Sequence, residues 1–242
     1  MRETMKYYSA ALLVCALAFP AKVQASTVVP NANENTPATS SFLGPLANAQ
    51  RTYQLLIHAN QLTSLVGQEL NGLSWRIPTN ATSDWPIADY TFDNYDIYLS
   101  GSVNPADRSL TFADNVVGAQ VQVRSGELQV PAESYPSGGN PNGFGPAITF
   151  DNYLYSGGNL LVEIRHTGFA GTSRSVEAIP ATGGAGFGYG TDFSAAWTAN
   201  YAGTSGSQGN FGVLQLHVVP EPVGMLTMLL GVFLLGFRRC LA

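Results

Sequence analysis

The densest group of chemically capable side chains is acidic: Asp84, Asp89, Asp93 and Asp96 lie close together, with Asn94 among them. Hard carboxylate oxygens on a loop suit calcium, which takes about six to eight oxygen ligands, and Asp89, Asp93 and Asp96 are the candidate ligands. The spacing is not that of an Asp-x-Asp-x-Asp-Gly calcium loop, and a solvated turn leading into a strand at Ile97 explains the same residues. Paired carboxylates also serve glycoside hydrolysis as acid and nucleophile when about 5–10 Å apart. That separation is set in space, so the spacing along the chain leaves this alternative open.

The three histidines, His58, His166 and His217, are too scattered to aim two imidazoles at one metal. Each reads as an ordinary residue of a strand. A nucleophile–base–acid triad meets only in space, but no Gly-x-Ser-x-Gly elbow is present. The nearest approach, Gly203-Thr204-Ser205-Gly206-Ser207, lacks the second glycine at the required place.

Aromatic residues offer a different chemistry. Phe187, Tyr189, Phe193, Trp197 and Tyr201 lie in a stretch rich in Gly, Ser and Thr, where flat rings beside polar neighbours can stack on sugar faces. Trp85, in Asp84-Trp85-Pro86, is a further candidate. The sugar-stacking set is therefore Trp85, Phe187, Tyr189, Trp197 and Tyr201. The competing reading is plain core, with Phe193, Trp197 and Tyr201 packed between sheets.

The elements that would carry these residues read as strands. Tyr53, Leu55, Ile57 and Ala59 alternate with Gln54 and His58, a period of two that sends one row inwards and the other to water. The same device recurs at Leu73, Trp75 and Ile77, at Ile97 and Leu99, and at Val117, Ala119, Val121 and Val123. Leu128 and Val130 follow a turn at Ser125-Gly126. Val162 and Ile164 make a later strand, and Leu214, Leu216 and Val218 the last. Only Asn60–Leu70 offers a helical pattern, and it is short. Irregularly spaced strands with loops over Pro131–Pro146 and Gly183–Asn210 predict an all-β, jelly-roll-like β-sandwich over residues 51–218. Residues 26–50, rich in Asn, Thr, Ser, Ala and Pro, read as a flexible lead-in.

Charge narrows the partners. From Ser26 to His217 there are six arginines, no lysine and 14 carboxylates, a formal charge of −8, and no cysteine. An acidic, lysine-free surface repels phosphate backbones, which excludes nucleic acid as a natural partner. No disulfide is available to support this region.

The two ends differ from the body. Arg2 and Lys6 precede an apolar run, Ala10 to Phe19, and then Val23-Gln24-Ala25, the pattern of a secretory signal peptide over residues 1–25 cleaved before Ser26. The run is too short for a hydrocarbon core of about 30 Å. Cys15 follows Val14 inside the run, where lipid modification would need a small residue. At the other end, Val219-Pro220-Glu221-Pro222 leads into an uncharged run, Val223 to Phe237, and then Arg238-Arg239. Two prolines terminate the preceding strand and start a helix. Fifteen residues give a short transmembrane helix of about 22 Å. The arginines act as a stop-transfer block that leaves the body on the opposite side of that membrane.

In this order of parts, residues 219–242 resemble the PEP-CTERM sorting tail of Gram-negative bacteria, which is also labelled the ice-binding protein C-terminal domain. The body lacks the Thr-x-Thr arrays associated with ice surfaces. The resemblance implies recognition of Pro220, Glu221 and Pro222 by an exosortase, after export by the Sec translocon and signal peptidase. It implies a transient membrane anchor and a final place at the cell surface or in the extracellular matrix. Because such tails occur in bacteria that make exopolysaccharide, it also implies extracellular polysaccharide as a partner. A weaker resemblance links Trp75-Arg76-Ile77, Ile97-Tyr98-Leu99-Ser100 and Tyr155-Ser156-Gly157-Gly158-Asn159-Leu160-Leu161-Val162-Glu163 to uncharacterised ectodomains that precede such tails. The resulting expectation is a non-enzymatic exported surface protein without a required cofactor. A carbohydrate-active hydrolase and a calcium-dependent lectin-like binder are the alternatives.

Overall fold

Period-two alternation produces strands wherever a row of apolar side chains can be buried, and here it does so from the first described residue. The computed structural model describes residues 26–220. The chain runs through β1 (Ser26–Val29), β2 (Ser40–Phe42), β3 (Arg51–Ile57), β4 (Glu69–Trp75), β5 (Tyr90–Phe92), β6 (Tyr95–Ser102), β7 (Val116–Arg124) and β8 (Leu128–Val130). It continues through β9 (Ile148–Leu154), β10 (Leu160–His166), β11 (Val176–Ile179), β12 (Phe193–Thr198), β13 (Ser207–Gln208), β14 (Phe211–Gly212) and β15 (Leu214–Val218). Short 3-10 turns are the only helical elements among the described residues, and none of these is long and apolar enough to cross a membrane. The fold class is all-β. The expected signal peptide, Glu221-Pro222, the helix at 223–237 and Arg238-Arg239 lie outside the described residues.

Two large sheets share one core. One has the order β1-β15-β4-β9 and the other β13-β12-β3-β10-β6-β7; smaller sheets, β14-β11-β2 and β5-β8, accompany them. Tyr53, Leu55 and Ile57 from β3, Val162 and Ile164 from β10, and Ile97 and Leu99 from β6 enter one buried cluster with Leu73, Trp75, Leu214 and Leu216 of the four-stranded sheet. Each such side chain contributes about 1.5–3 kcal/mol when withdrawn from water.

The second row of β3 departs from the simple alternation. Gln54 is fully buried rather than facing water. Its Nε2 donates to Glu163 Oε2 (2.6 Å) and to Phe112 O (3.1 Å), and Asn115 Nδ2 donates to its Oε1 (2.8 Å). A loop through Phe112 and Asn115 therefore covers part of the outer face of the six-stranded sheet. In contrast β7, an edge strand, buries only Val123 of its predicted inward row, leaving Val117 and Val121 half exposed. An edge strand has one neighbour instead of two, so alternation alone cannot bury it.

Residues 26–50 are part of the fold, not a flexible lead-in. β1 pairs with β15 from Ser26–His217 to Val29–Leu214, β2 pairs with β11, and Leu46 is fully buried. The segment between β1 and β2 is held by the buried ion pair of Arg76 with Glu177. Arg76 Nη2 donates to Asn33 O (2.7 Å) and Thr36 O (3.0 Å), its Nη1 to Glu34 O (3.3 Å), and Ala38 N donates to Glu177 Oε1 (2.9 Å). Side-chain fixing of backbone groups leaves no apolar period to detect. The helical pattern at Asn60–Leu70 is likewise realised as two 3-10 turns, Ala59–Gln61 and Thr63–Leu65, before β4. The predicted loop Gly183–Asn210 contains β12, which pairs with the central strand β3.

His58 lies just beyond β3 rather than within a strand, where its Nδ1 accepts from Asn60 N (3.2 Å) and caps a turn. His217 in β15 shares a 2.7 Å hydrogen bond with Ser74 Oγ. His166, at the end of β10, is buried and stacked on Tyr95 at 5.5 Å between ring centroids. Gly168 N donates to its Nδ1 (3.1 Å), so Nε2 carries the proton and donates to Gly44 O (2.8 Å). Burial, opposed by the Gly44 bond and aided by Arg51, lowers its pKa to about 4. A base whose folded pKa is depressed binds protons more readily when unfolded, so its contribution is complete above about pH 6.5 and is lost as pH falls towards 4. Urea titrations should show about 2 kcal/mol less stability at pH 5 than at pH 7.5 from this residue. His166→Phe should flatten that part of the profile.

Candidate functional site

The sequence-nominated acids diverge in space. Asp84 accepts from Ser137 N (2.7 Å) and Oγ (2.8 Å), and these bonds lower its pKa. Asp89 Oδ1 accepts from Ala132 N (2.8 Å). Both tie down the Pro131–Pro146 loop. Asp93 is exposed, whereas Asp96 is buried in β6. The calcium ligand set Asp89, Asp93 and Asp96 is thus not assembled: a turn followed by a strand carries successive carboxylates to different surfaces. Among the described residues no three His, Cys, Asp or Glu side chains gather as a metal-holding group.

The nominated aromatics also separate. Trp85 (5% exposed) packs edge-on against Tyr135 at 5.4 Å, and its Nε1 donates to Thr172 O (3.1 Å). Tyr189 (7% exposed) donates through its hydroxyl to Gly209 O (2.7 Å). Both are core residues and unavailable to a sugar. Trp197 lies opposite Tyr53 at the core rim, against Phe42 (5.7 Å) and beneath the Arg51 guanidinium (5.2 Å). Phe187 is 52% exposed in the turn Gly184–Phe187. Only Tyr201 joins a larger polar surface.

That surface is the outer face of the six-stranded sheet. Directly opposed residues of antiparallel strands share a face, and the register sets Gln54, Glu163, Tyr98 and Gln122 in one row across β3, β10, β6 and β7. The adjacent row holds Thr52, Arg165 and Asp96. The loop after β12 lies over its end, because Thr52 Oγ1 donates to Asn200 O (2.7 Å) and Tyr201 O (2.9 Å).

Polar contacts fix the geometry. Arg165 Nε donates to Glu163 Oε1 (2.5 Å), while Glu163 Oε2 accepts from Gln54 (2.6 Å) and Gln120 Nε2 (3.4 Å). The Arg165 guanidinium carbon lies 5.4 Å from the Tyr98 ring centroid. Tyr201 donates its hydroxyl to Asp96 Oδ2, and Asp96 Oδ1 accepts from Gly126 N (3.1 Å). Gly126 has φ +86°, a left-handed turn that glycine adopts without a Cβ penalty. The bond to Asp96, then burial, pushes the Tyr201 pKa up to about 12, so the phenol remains a proton donor. Burial raises the Tyr98 pKa as well.

Both carboxylates, Asp96 and Glu163, therefore have internal partners and act as acceptors that hold a tyrosine and an arginine in place. Glu163 is only 2% exposed, while the Arg165 side chain remains 29% exposed. Tyr98 and Tyr201 are partly exposed beside it. Tyr98 and Arg165 were not among the sequence candidates, because they stand in the outward row of their strands, which the apolar period does not mark. The available signal was an aromatic and a cation at the outward positions of Ile97-Tyr98-Leu99 and Ile164-Arg165.

A shallow groove of ≈ 360 Å³ between β7 and β9 is lined by Val123, Arg124, Ser125, Thr149, Phe150 and Asp151. Its cation is already engaged, with Arg124 donating to Tyr95 O (2.6 Å), Gly126 O (3.1 Å) and Glu127 O (2.5 Å). Comparison with protein-family models, curated proteins and solved structures finds no match to this chain.

Proposed function

We propose that this chain is a non-enzymatic exported surface or matrix protein, sorted by an exosortase through its C-terminal tail, whose body contacts extracellular polysaccharide. The body is a jelly-roll-like β-sandwich whose outer sheet face is the contact surface. One observation carries the polysaccharide reading: Tyr98, Tyr201 and Arg165 stand on a sheet face while the neighbouring acids are engaged with internal donors. A hydrolase needs one carboxyl group free to give a proton and another free to attack or activate water. Acids already used as structural acceptors favour binding over turnover.

The sorting part rests on the tail residues. Val219 N still donates to Glu69 O (2.9 Å), so the body's last backbone hydrogen bond falls one residue before Pro220. The recognition motif thus follows the folded body directly. Pro220→Ala combined with Glu221→Ala should leave the protein membrane-retained and unprocessed in an exosortase-bearing host, as read by fractionation and intact mass. Unchanged processing would remove the sorting claim. Glycan-array binding of the full chain in mild detergent, followed by product analysis, tests the body. Retention without cleavage is expected; turnover abolished by Asp96→Asn or Glu163→Gln would replace the binder with a hydrolase.

A further inference from the structure

The polysaccharide reading leaves the charge of the sugar open, and the electrostatics of the same face decide it. Arg165 is the exposed cation of the surface, but its charge is matched by Glu163 at 2.5 Å. Asp96, opposite Arg165 in the next strand, adds a second carboxylate. The local sum is negative, and the surrounding body carries −8 without a lysine. A polymer of uronate or sulfated sugars would approach against this field.

The hydrogen-bonding capacity of the face is compatible with an uncharged ligand, and the negative field selects against the carboxylates and phosphates that an arginine fork otherwise takes. Nε of Arg165 is occupied by Glu163, which holds the guanidinium over the Tyr98 ring. Its two terminal nitrogens make no hydrogen bond to the described residues, and with the side chain 29% exposed a planar fork of donors is open to a ligand. Such a fork serves two neighbouring acceptor oxygens at once, and the adjacent hydroxyls of a sugar ring provide them without added charge. The Tyr201 ring, pinned through its hydroxyl to Asp96, offers a flat apolar surface alongside. We infer that this face takes a neutral glycan, held by the Arg165 fork on adjacent hydroxyls and by Tyr201 on the sugar face. This rests on the polysaccharide reading above.

Affinity electrophoresis of the full chain in mild detergent separates the two claims. The gels contain a neutral glucan, mannan or galactan, or an alginate or polygalacturonate, each run at low and high salt with chelator present. Retardation by at least one neutral polymer, little changed by salt, is expected, with none by the uronates. Arg165→Lys keeps the charge but removes the fork, and should weaken neutral-polymer retention at least about ten-fold with an unchanged near-UV circular dichroism spectrum. Should that variant fail to fold, the salt response of the native chain still decides the matter. Uronate retardation that equals or exceeds the neutral and fades with salt overturns the neutral-glycan inference while leaving polysaccharide binding intact. Retardation by no polymer overturns both.

Discussion

Glu177→Ala is expected to lower the stability of the body by about 3–5 kcal/mol, the range for removing one partner of a buried ion pair. Arg76 and Glu177 are each 1% exposed, so the arginine left behind cannot recover its hydration. The change also removes the acceptor for Ala38 N. Arg76→Met should cost a similar amount, because it leaves the carboxylate uncompensated, removes the Arg76 donors to Asn33 O and Glu34 O, and leaves Thr36 O with the Asn33 Nδ2 donor alone. In many proteins a paired apolar replacement is neutral or stabilising. Here Arg76→Met with Glu177→Leu should remain destabilising, since Asn33 O, Glu34 O and Ala38 N would still lose the side-chain partners they have now. Urea unfolding gives the magnitudes, and limited proteolysis should show earlier cleavage between Asn31 and Ala38 than elsewhere. A loss below about 1 kcal/mol, typical of an exposed pair, would mean that the pair does not anchor this segment.

This clamp also shows where sequence reading stops. Trp75-Arg76-Ile77 alternates correctly, yet Arg76 occupies what would be a water-facing position and is buried instead. Its partner lies in β11, far along the chain, and its other contacts are carbonyl oxygens, which leave no trace in side-chain type. The apolar rows of β3, β6, β10 and β15 were legible because burial of one face imposes a period of two. The outer face of β3 was not, because the Phe112–Asn115 loop, distant in sequence, covers it and hydrogen-bonds Gln54 where alternation would place a water-facing residue. Tyr201, nominated as an aromatic in a Gly- and Ser-rich stretch, is placed against Asp96 beside the outer sheet face. Tyr189 shared that composition, and Trp85 stood in Asp84-Trp85-Pro86, but both were withdrawn, by contacts to Gly209 O and Tyr135 respectively. The tail reading rests on order along the chain alone, Pro220 to Pro222, an apolar run and two arginines, and stands as the proposal made above.

Tyr98→Ala combined with Tyr201→Ala should reduce glycan affinity by about 30-fold or more. Ring-mediated anchors at binding surfaces are commonly worth 2 kcal/mol or more in total, and about 1.4 kcal/mol corresponds to ten-fold in affinity. Loss of Tyr201 removes its own ring and frees Asp96 Oδ2, while loss of Tyr98 removes the surface beneath the Arg165 guanidinium. Neither residue belongs to the buried core cluster, but Tyr201→Ala strips a donor from the buried Asp96, so a stability loss of about 1–3 kcal/mol is expected beside the affinity loss and is measured in the same variants. Single variants separate the roles: Tyr201→Phe retains the ring and should keep most of the affinity, whereas Tyr201→Ala should not. Equal losses in the two would place the effect in the hydroxyl and its bond to Asp96, not in stacking.

The central claim is that the outer face of the six-stranded sheet is the binding surface. Its most direct test is residue-resolved: titrate the isotopically labelled protein with a retained oligosaccharide and follow backbone and arginine side-chain NMR signals. The largest shifts are expected at Tyr98, Arg165, Gln122 and Tyr201, with the Asp84–Asp93 loop and Phe187 unchanged. Shifts centred on that acidic loop, or on the β7–β9 groove, with the Tyr98 row silent, would contradict it.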